Sequence, residues 1–205
     1  MTTQDLKAKA QAYGMCNLSD AELIALQLDT SHEAARVILR DFGSIRNVLK
    51  NHTHRLTQAQ AFRAELTLEL AKRFHAERLQ RADVLTDPDA VRLYLTARLR
   101  DLLHETFACI FLDNRHRVIK YEELFFGTID GASVHPREIV RRALHHNAAA
   151  VILAHNHPSG VAEPSQADEN ITRKLKDALH LIDVRVLDHF VIGENIVSFA
   201  ERGLL

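Results

Sequence analysis

The chain has 205 residues, 46% of them apolar, and its 26 basic and 27 acidic side chains leave a formal charge of −1. That is enough apolar material for one medium domain or two small ones, and so even a charge excludes a broad phosphate-binding surface. Two distant cysteines, Cys16 and Cys109, exclude a disulfide framework and a thiolate metal site; the strand-length apolar runs exclude a membrane helix, and the opening Met-Thr-Thr-Gln-Asp-Leu-Lys, which lacks a signal-peptide core, points to the cytoplasm.

Up to about residue 85 the pattern is helical. Ser19 caps a helix through Asp20-Ala-Glu22 to about Leu28, and a second runs from Ser31 or His32 to Asp41, stopped by Gly43. Ser44 starts a third, short helix. A long helix follows from about Thr57 to Arg81, in which Phe62, Leu66, Leu70 and Phe74 recur every four residues and form a stripe expected to pack against the short helices. Arg36, Arg40 and Arg46, and again Lys72, Arg73, Arg78 and Arg81, fall at helical spacings and read as solvated faces. A hinge at Ala82–Asp87 leads through Pro88 into a helix ending near Leu103. The expected division is a small all-α domain, 1–85, followed by an α/β domain, 86–205. The first holds 12 basic and 10 acidic residues and the second 14 and 17, so neither carries a nucleic-acid footprint.

Beyond the hinge, Thr106–Leu112 and Val118–Phe126 read as strands. His135-Pro-Arg-Glu138 reads as a helix start with Pro136 at the first helical position. Ala148–Ala154 is a continuous apolar run that suits a buried strand, and its end delivers His155 and His157. Residues two apart on an extended segment point to the same side, so both imidazoles can reach one ion. Pro158 keeps the pair extended, and Pro158-Ser-Gly160 turns the chain toward a helix starting near Ser165. Asp168 is the candidate third ligand. Two histidines and one carboxylate leave a fourth tetrahedral position open, the arrangement of a hydrolytic zinc site, where bound water is acidified to a pKa of about 7. Ser165-x-x-Asp168 also fits a capping box, and the two roles are compatible. His52-Thr-His54, a second His-x-His, reads as surface.

His155-x-His157-Pro158, six residues, Ser165, two residues, Asp168 is similar to the JAMM motif of the MPN-type zinc metallopeptidases. Together with Phe126-Gly-Thr-Ile-Asp130, Val134-His-Pro-Arg-Glu138 and Leu187-Asp-His-Phe190, it resembles the bacterial RadC branch of that family over about residues 85 to 205. The resemblance implies an α/β, mixed-sheet MPN fold of the cytidine-deaminase-like kind. It implies one Zn2+ held by His155, His157 and Asp168, Glu105 as the general base on the attacking water, and Ser165 as donor to the oxyanion. Glu122 and Glu123 are fallback bases. Asp188-His189 is either a pair that orients a ligand or a buried structural pair. The activity implied is hydrolysis of a peptide or isopeptide amide bond in an unidentified peptide or protein substrate. The alternatives are a DNA-repair-associated protein acting on or binding DNA, and a non-catalytic interaction module. Leu18-Ser-Asp-Ala-Glu-Leu-Ile24 and Asp41-Phe-Gly-Ser44 resemble the helix-hairpin-helix-like region that precedes the domain in RadC proteins. The family's Gly-hydrophobic-Gly hairpin, whose amides would bind phosphate, is replaced by Arg55-Leu-Thr-Gln-Ala-Gln60.

Overall fold

The computed structural model describes residues 2–50, 55–81, 88–127 and 134–205. The chain divides into two compact units, Met1–Ala71 and Lys72–Leu205. The expected hinge at Ala82–Asp87, the pair His52 and His54, and Thr128–Asp130 of one quoted motif lie outside the described residues.

The first unit is built from short, individually capped helices. They are α1 (Thr3–Tyr13), α2 (Asp20–Leu28), α3 (His32–Phe42) and α4 (Ile45–Lys50). Thr2 with Asp5 and Ser19 with Glu22 form reciprocal capping boxes, and Ser31 caps α3. Each box satisfies backbone donors that a helix start leaves free, a contribution of about 1 kcal/mol per cap. Gly43, at φ +78°, ends α3 in the left-handed conformation that its lack of a Cβ permits. Leu6, Ile24, Ala25, Leu28, Ala35, Val48 and Ala64 form the core. Ala64 belongs to α5 (Gln58–Arg81).

The long helix corrects one expectation. Phe62, Leu66, Leu70 and Phe74 are 64, 47, 58 and 67% exposed, so the stripe is not the face that packs. Two residues along a helix is a rotation of about 200°, which puts Ala64 opposite Phe62. The helix presents this smaller face, where Gln27 donates to the Arg63 carbonyl and to the Thr67 hydroxyl. Ala64 permits close approach where phenylalanine would hold the helices apart.

The second unit is a five-stranded mixed sheet between helical layers. The strands are β1 (Thr106–Leu112), β2 (Val118–Phe126), β3 (Ala150–Asn156), β4 (Arg185–Ile192) and β5 (Ile196–Ser198), in the order β2-β1-β3-β4-β5. Only β3 and β4 are parallel, joined through α8 (Gln166–His180). α6 (Pro88–Leu99) covers one face, with Leu79 of α5, over Ala108, Ile110, Ala150, Ile152 and Ala154. It ends four residues before the expected Leu103. On the other face α7 (Pro136–His145) and α8 cover Phe107, Cys109, Phe111, Val151 and Leu153. β1 and β3 are buried along their whole length, which explains runs that are apolar without alternation.

Candidate metal centre

His155 is the next-to-last residue of β3, on the α8 side of the sheet, and His157 lies just past the strand end. Asp168 is the third residue of α8, delivered by the turn that follows Pro158. The ligand atoms of the three lie within 4.8 Å of one another. His155 Nε2 is 3.0 Å from His157 Nε2 and 3.2 Å from Asp168 Oδ1, and His157 Nε2 is 3.7 Å from Asp168 Oδ2. A tetrahedral ion with bonds of about 2.0–2.1 Å needs ligand separations of about 3.3 Å, so the spacing fits zinc.

Hydrogen bonding fixes which nitrogen of each ring faces the centre. Thr172 Oγ1 lies 2.6 Å from the Asp168 carbonyl, which can only accept. The hydroxyl therefore donates there and accepts from His189 Nδ1, 2.6 Å away. His189 Nε2 is left as an acceptor for His155 Nδ1 at 2.8 Å, which frees the lone pair of His155 Nε2. His157 Nδ1, 2.7 Å from the Val161 carbonyl, donates in turn and frees its own Nε2. Burial holds the His189 imidazole well below its ordinary pKa, in keeping with a neutral ring inside this chain. Two lone pairs and a carboxylate aimed at one point require positive charge there. The same demand appears in the titration of the group. Burial works upward on Asp168, yet the hydrogen bonds that protonated His155 and His157 would donate to it hold it far below the carboxylate range, and Asp168 in turn pushes His157 up.

Asp168 is held by Ser165, the N-cap of α8. Ser165 N and Oγ each donate to Asp168 Oδ2 at 2.7 Å, and Asp168 N returns a bond to Ser165 Oγ. The expected capping box is present, built on a candidate ligand. Glu105 immediately precedes β1. The antiparallel pairing sets Phe107 opposite His155, which brings Glu105, two residues before Phe107, to the end of the sheet where His157 follows His155. Its charge contributes to the upward shift of His157. Glu122 and Glu123 have other partners: Glu122 binds Arg142 and His146, and Glu123 accepts from Tyr121 at 3.1 Å.

The pair Asp188-His189 divides its labour. Asp188 accepts from the amides of His189 and Ala200 and from Ser198 Oγ, fastening β5 and the following turn to β4. His189 supports His155. An irregularity makes this possible: Val151 pairs with Val186 but Ile152 with Asp188, so Leu187 is an extra residue in β4. One residue of slip exchanges the faces of a strand, and it puts His189 rather than Asp188 beneath the site. The metal loop is anchored to the β4–β5 turn, where His157 N donates to the Ile192 carbonyl and Glu194 N to that of Gly160, 2.9 and 2.7 Å away. A Cβ on Gly193 would lie 2.3 Å from the Gly160 carbonyl, so the turn has no room for a side chain there.

Thr172 and Asn156 were not identified from the sequence. Both are buried polar residues among apolar neighbours, Asn156 between the two histidines and Thr172 one helical turn after Asp168, and that is the signal that could have found them.

The RadC-like JAB domain family model matches residues 85–204. A UPF0758 protein of Thioalkalivibrio sulfidiphilus is 56% identical over 211 aligned residues, covering 97% of this chain and 95% of that protein. UPF0758 proteins of Nitrosococcus oceani and Vibrio vulnificus are also 56% identical, over 92% and 93% of this chain and 90% and 91% of their own lengths. With residues 85–204 matched and relatives alike over nearly the whole length, the chain belongs to the RadC family and carries its JAB domain.

Proposed function

We propose that this protein is a zinc-dependent metallohydrolase that cleaves peptide or isopeptide amide bonds. The observation that carries the reading is the convergence of two imidazole lone pairs and a carboxylate, His155, His157 and Asp168, at the end of the sheet where Glu105 precedes β1. His155, His157 and Asp168 would hold the zinc, which would supply Lewis acidity toward a carbonyl oxygen and toward water. Glu105 acts as general base, taking a proton from the attacking water and delivering it to the leaving amine. Ser165 holds Asp168 at rest and exchanges that hydrogen bond for one to the developing oxyanion. The fold is read as the MPN, cytidine-deaminase-like architecture. No helix among the described residues is long and apolar enough to cross a membrane, and we place the protein in the cytoplasm.

Untagged protein analysed for bound metal tests the reading. Wild type is expected to hold one zinc per chain, His157→Ala none, and Glu105→Gln one. Glu105→Gln is expected to lose about 100-fold or more in the hydrolysis of peptide and isopeptide substrates, the scale of a general base. A wild type that takes up no zinc, or an active Glu105→Gln, would overturn it.

A further inference from the structure

Asn156 stands between the two histidines and is wholly buried, yet it is not a ligand. Side chains alternate along β3, so His155 faces α8 with Val151 and Leu153, while Asn156 faces α6 with Ala150, Ile152 and Ala154. An otherwise apolar face thus ends in a carboxamide. Its partners come from the segment that joins α6 to β1 and from the first residue of β1. Asn156 Oδ1 accepts from the Thr106 amide at 2.8 Å, and Nδ2 donates to the carbonyls of Leu102 and His104 at 3.3 and 3.2 Å. Both amide hydrogens and the carbonyl oxygen are used.

These bonds bracket Glu105. One partner residue immediately precedes it and another immediately follows. On the β2 side its carbonyl is held by the Gly127 amide at 2.7 Å, which ties Glu105 to β2 but not to the strand of the histidines. The bracket on the β3 side is Asn156. A catalytic group has to be held within about 0.5 Å of its working position, and Glu105 lies outside the regular strand, where backbone pairing alone does not provide that.

We infer that Asn156 is a positioning residue: it locks the segment carrying Glu105 to the strand carrying both histidine ligands, so that base and metal site keep a fixed separation. The inference rests on the reading of Glu105 as general base. It also explains why an asparagine stands at this position, since no other uncharged side chain of that length offers one acceptor and two donors.

Two variants test it. Asn156→Asp keeps the volume and the acceptor for Thr106 but loses the donors; Asn156→Leu keeps the bulk and loses all three bonds. Zinc affinity by equilibrium dialysis is expected to change by no more than about threefold, less than a lost ligand-supporting contact would cause. Amide exchange at residues 102–106 is expected to accelerate about tenfold, a local loosening. On a fluorogenic peptide library, kcat is expected to fall about 30- to 100-fold with KM little changed, the effect of misplacing a catalytic group by about 1 Å. Adding Asn156→Asp to Glu105→Gln is expected to cost nothing further, whereas a merely structural role would lower zinc occupancy and reduce the residual activity again. The inference is overturned if exchange at Thr106 is unaltered in Asn156→Leu, or if kcat is unaltered in both variants while Glu105→Gln is inactive. A wild type without turnover, or an active Glu105→Gln, would instead remove the reading of Glu105, and exchange alone would then judge the clamp.

Discussion

His155 has only one nitrogen free for a metal because a chain of three buried groups decides the matter. His189→Phe or Thr172→Val breaks that chain, and either is expected to lower zinc affinity about 10- to 100-fold, as loss of a ligand-supporting hydrogen bond does. Equilibrium dialysis checks this, and an unchanged affinity would show the His189 contact to be packing alone. The two thiols make a second test at this scale. Cys109 is wholly buried and desolvation raises its thiol well above the ordinary value, whereas Cys16 is exposed. Titration with a thiol reagent is expected to find one reactive group in the folded protein and two after denaturation. His155, His157 and Asp168 were legible in the sequence because their spacing is local. Thr172 and Asn156 were not, since the contacts that define their roles, Thr172 with His189 and Asn156 with Thr106, join residues 17 and 50 apart in the chain.

Helix α5 illustrates how an element can be identified correctly and its buried face misjudged. The period-four stripe marks a helix, but burial follows the face that fits closest, and Ala64 fits closer than Phe62. Phe62→Gln and Leu66→Gln are therefore expected to change stability by about 0.5 kcal/mol or less, while Ala64→Leu overpacks the core and costs about 1–3 kcal/mol. Urea denaturation distinguishes the two classes; a large loss at Phe62 would restore the original reading of the stripe. At the start of α2, the hydrogen bond from Lys9, with the Ser19 amide, pushes the Glu22 carboxyl down from 4.5 to about 2. A depressed carboxylate contributes stability that is present above its ordinary pKa and is lost as the pH falls toward its folded value. Glu22→Gln is expected to lower the melting temperature at neutral pH and to flatten its fall between pH 4.5 and about 2. A fall of unchanged steepness would show that Glu22 does not govern acid stability. The capping boxes were legible at Ser19 and Ser165 because a cap is a relation between residues three apart.

At the scale of the molecule, the candidate centre draws on the residue before β1, the end of β3, the start of α8 and the middle of β4, elements spread along the chain from residue 105 to residue 189. Zinc supplied at about 100 times its dissociation constant is expected to stabilise the native state by about 2.7 kcal/mol, because the unfolded chain does not bring these ligands together. Hydrogen exchange should place the added protection at β1, β3 and the start of α8, and protection elsewhere would move the site. By itself the sequence determined the helix starts, the buried strands, the three candidate ligands and the family resemblance, since each is written in residue types at short, fixed spacings. Only the tertiary structure decided which face of α5 is buried, that Glu122 is taken up by Arg142 and His146, and that an extra residue in β4 brings His189 under the site. Only there, too, does Asn156 meet the segment it binds. These outcomes depend on register and on hydrogen bonds between segments remote in the chain, which local propensity and spacing do not encode.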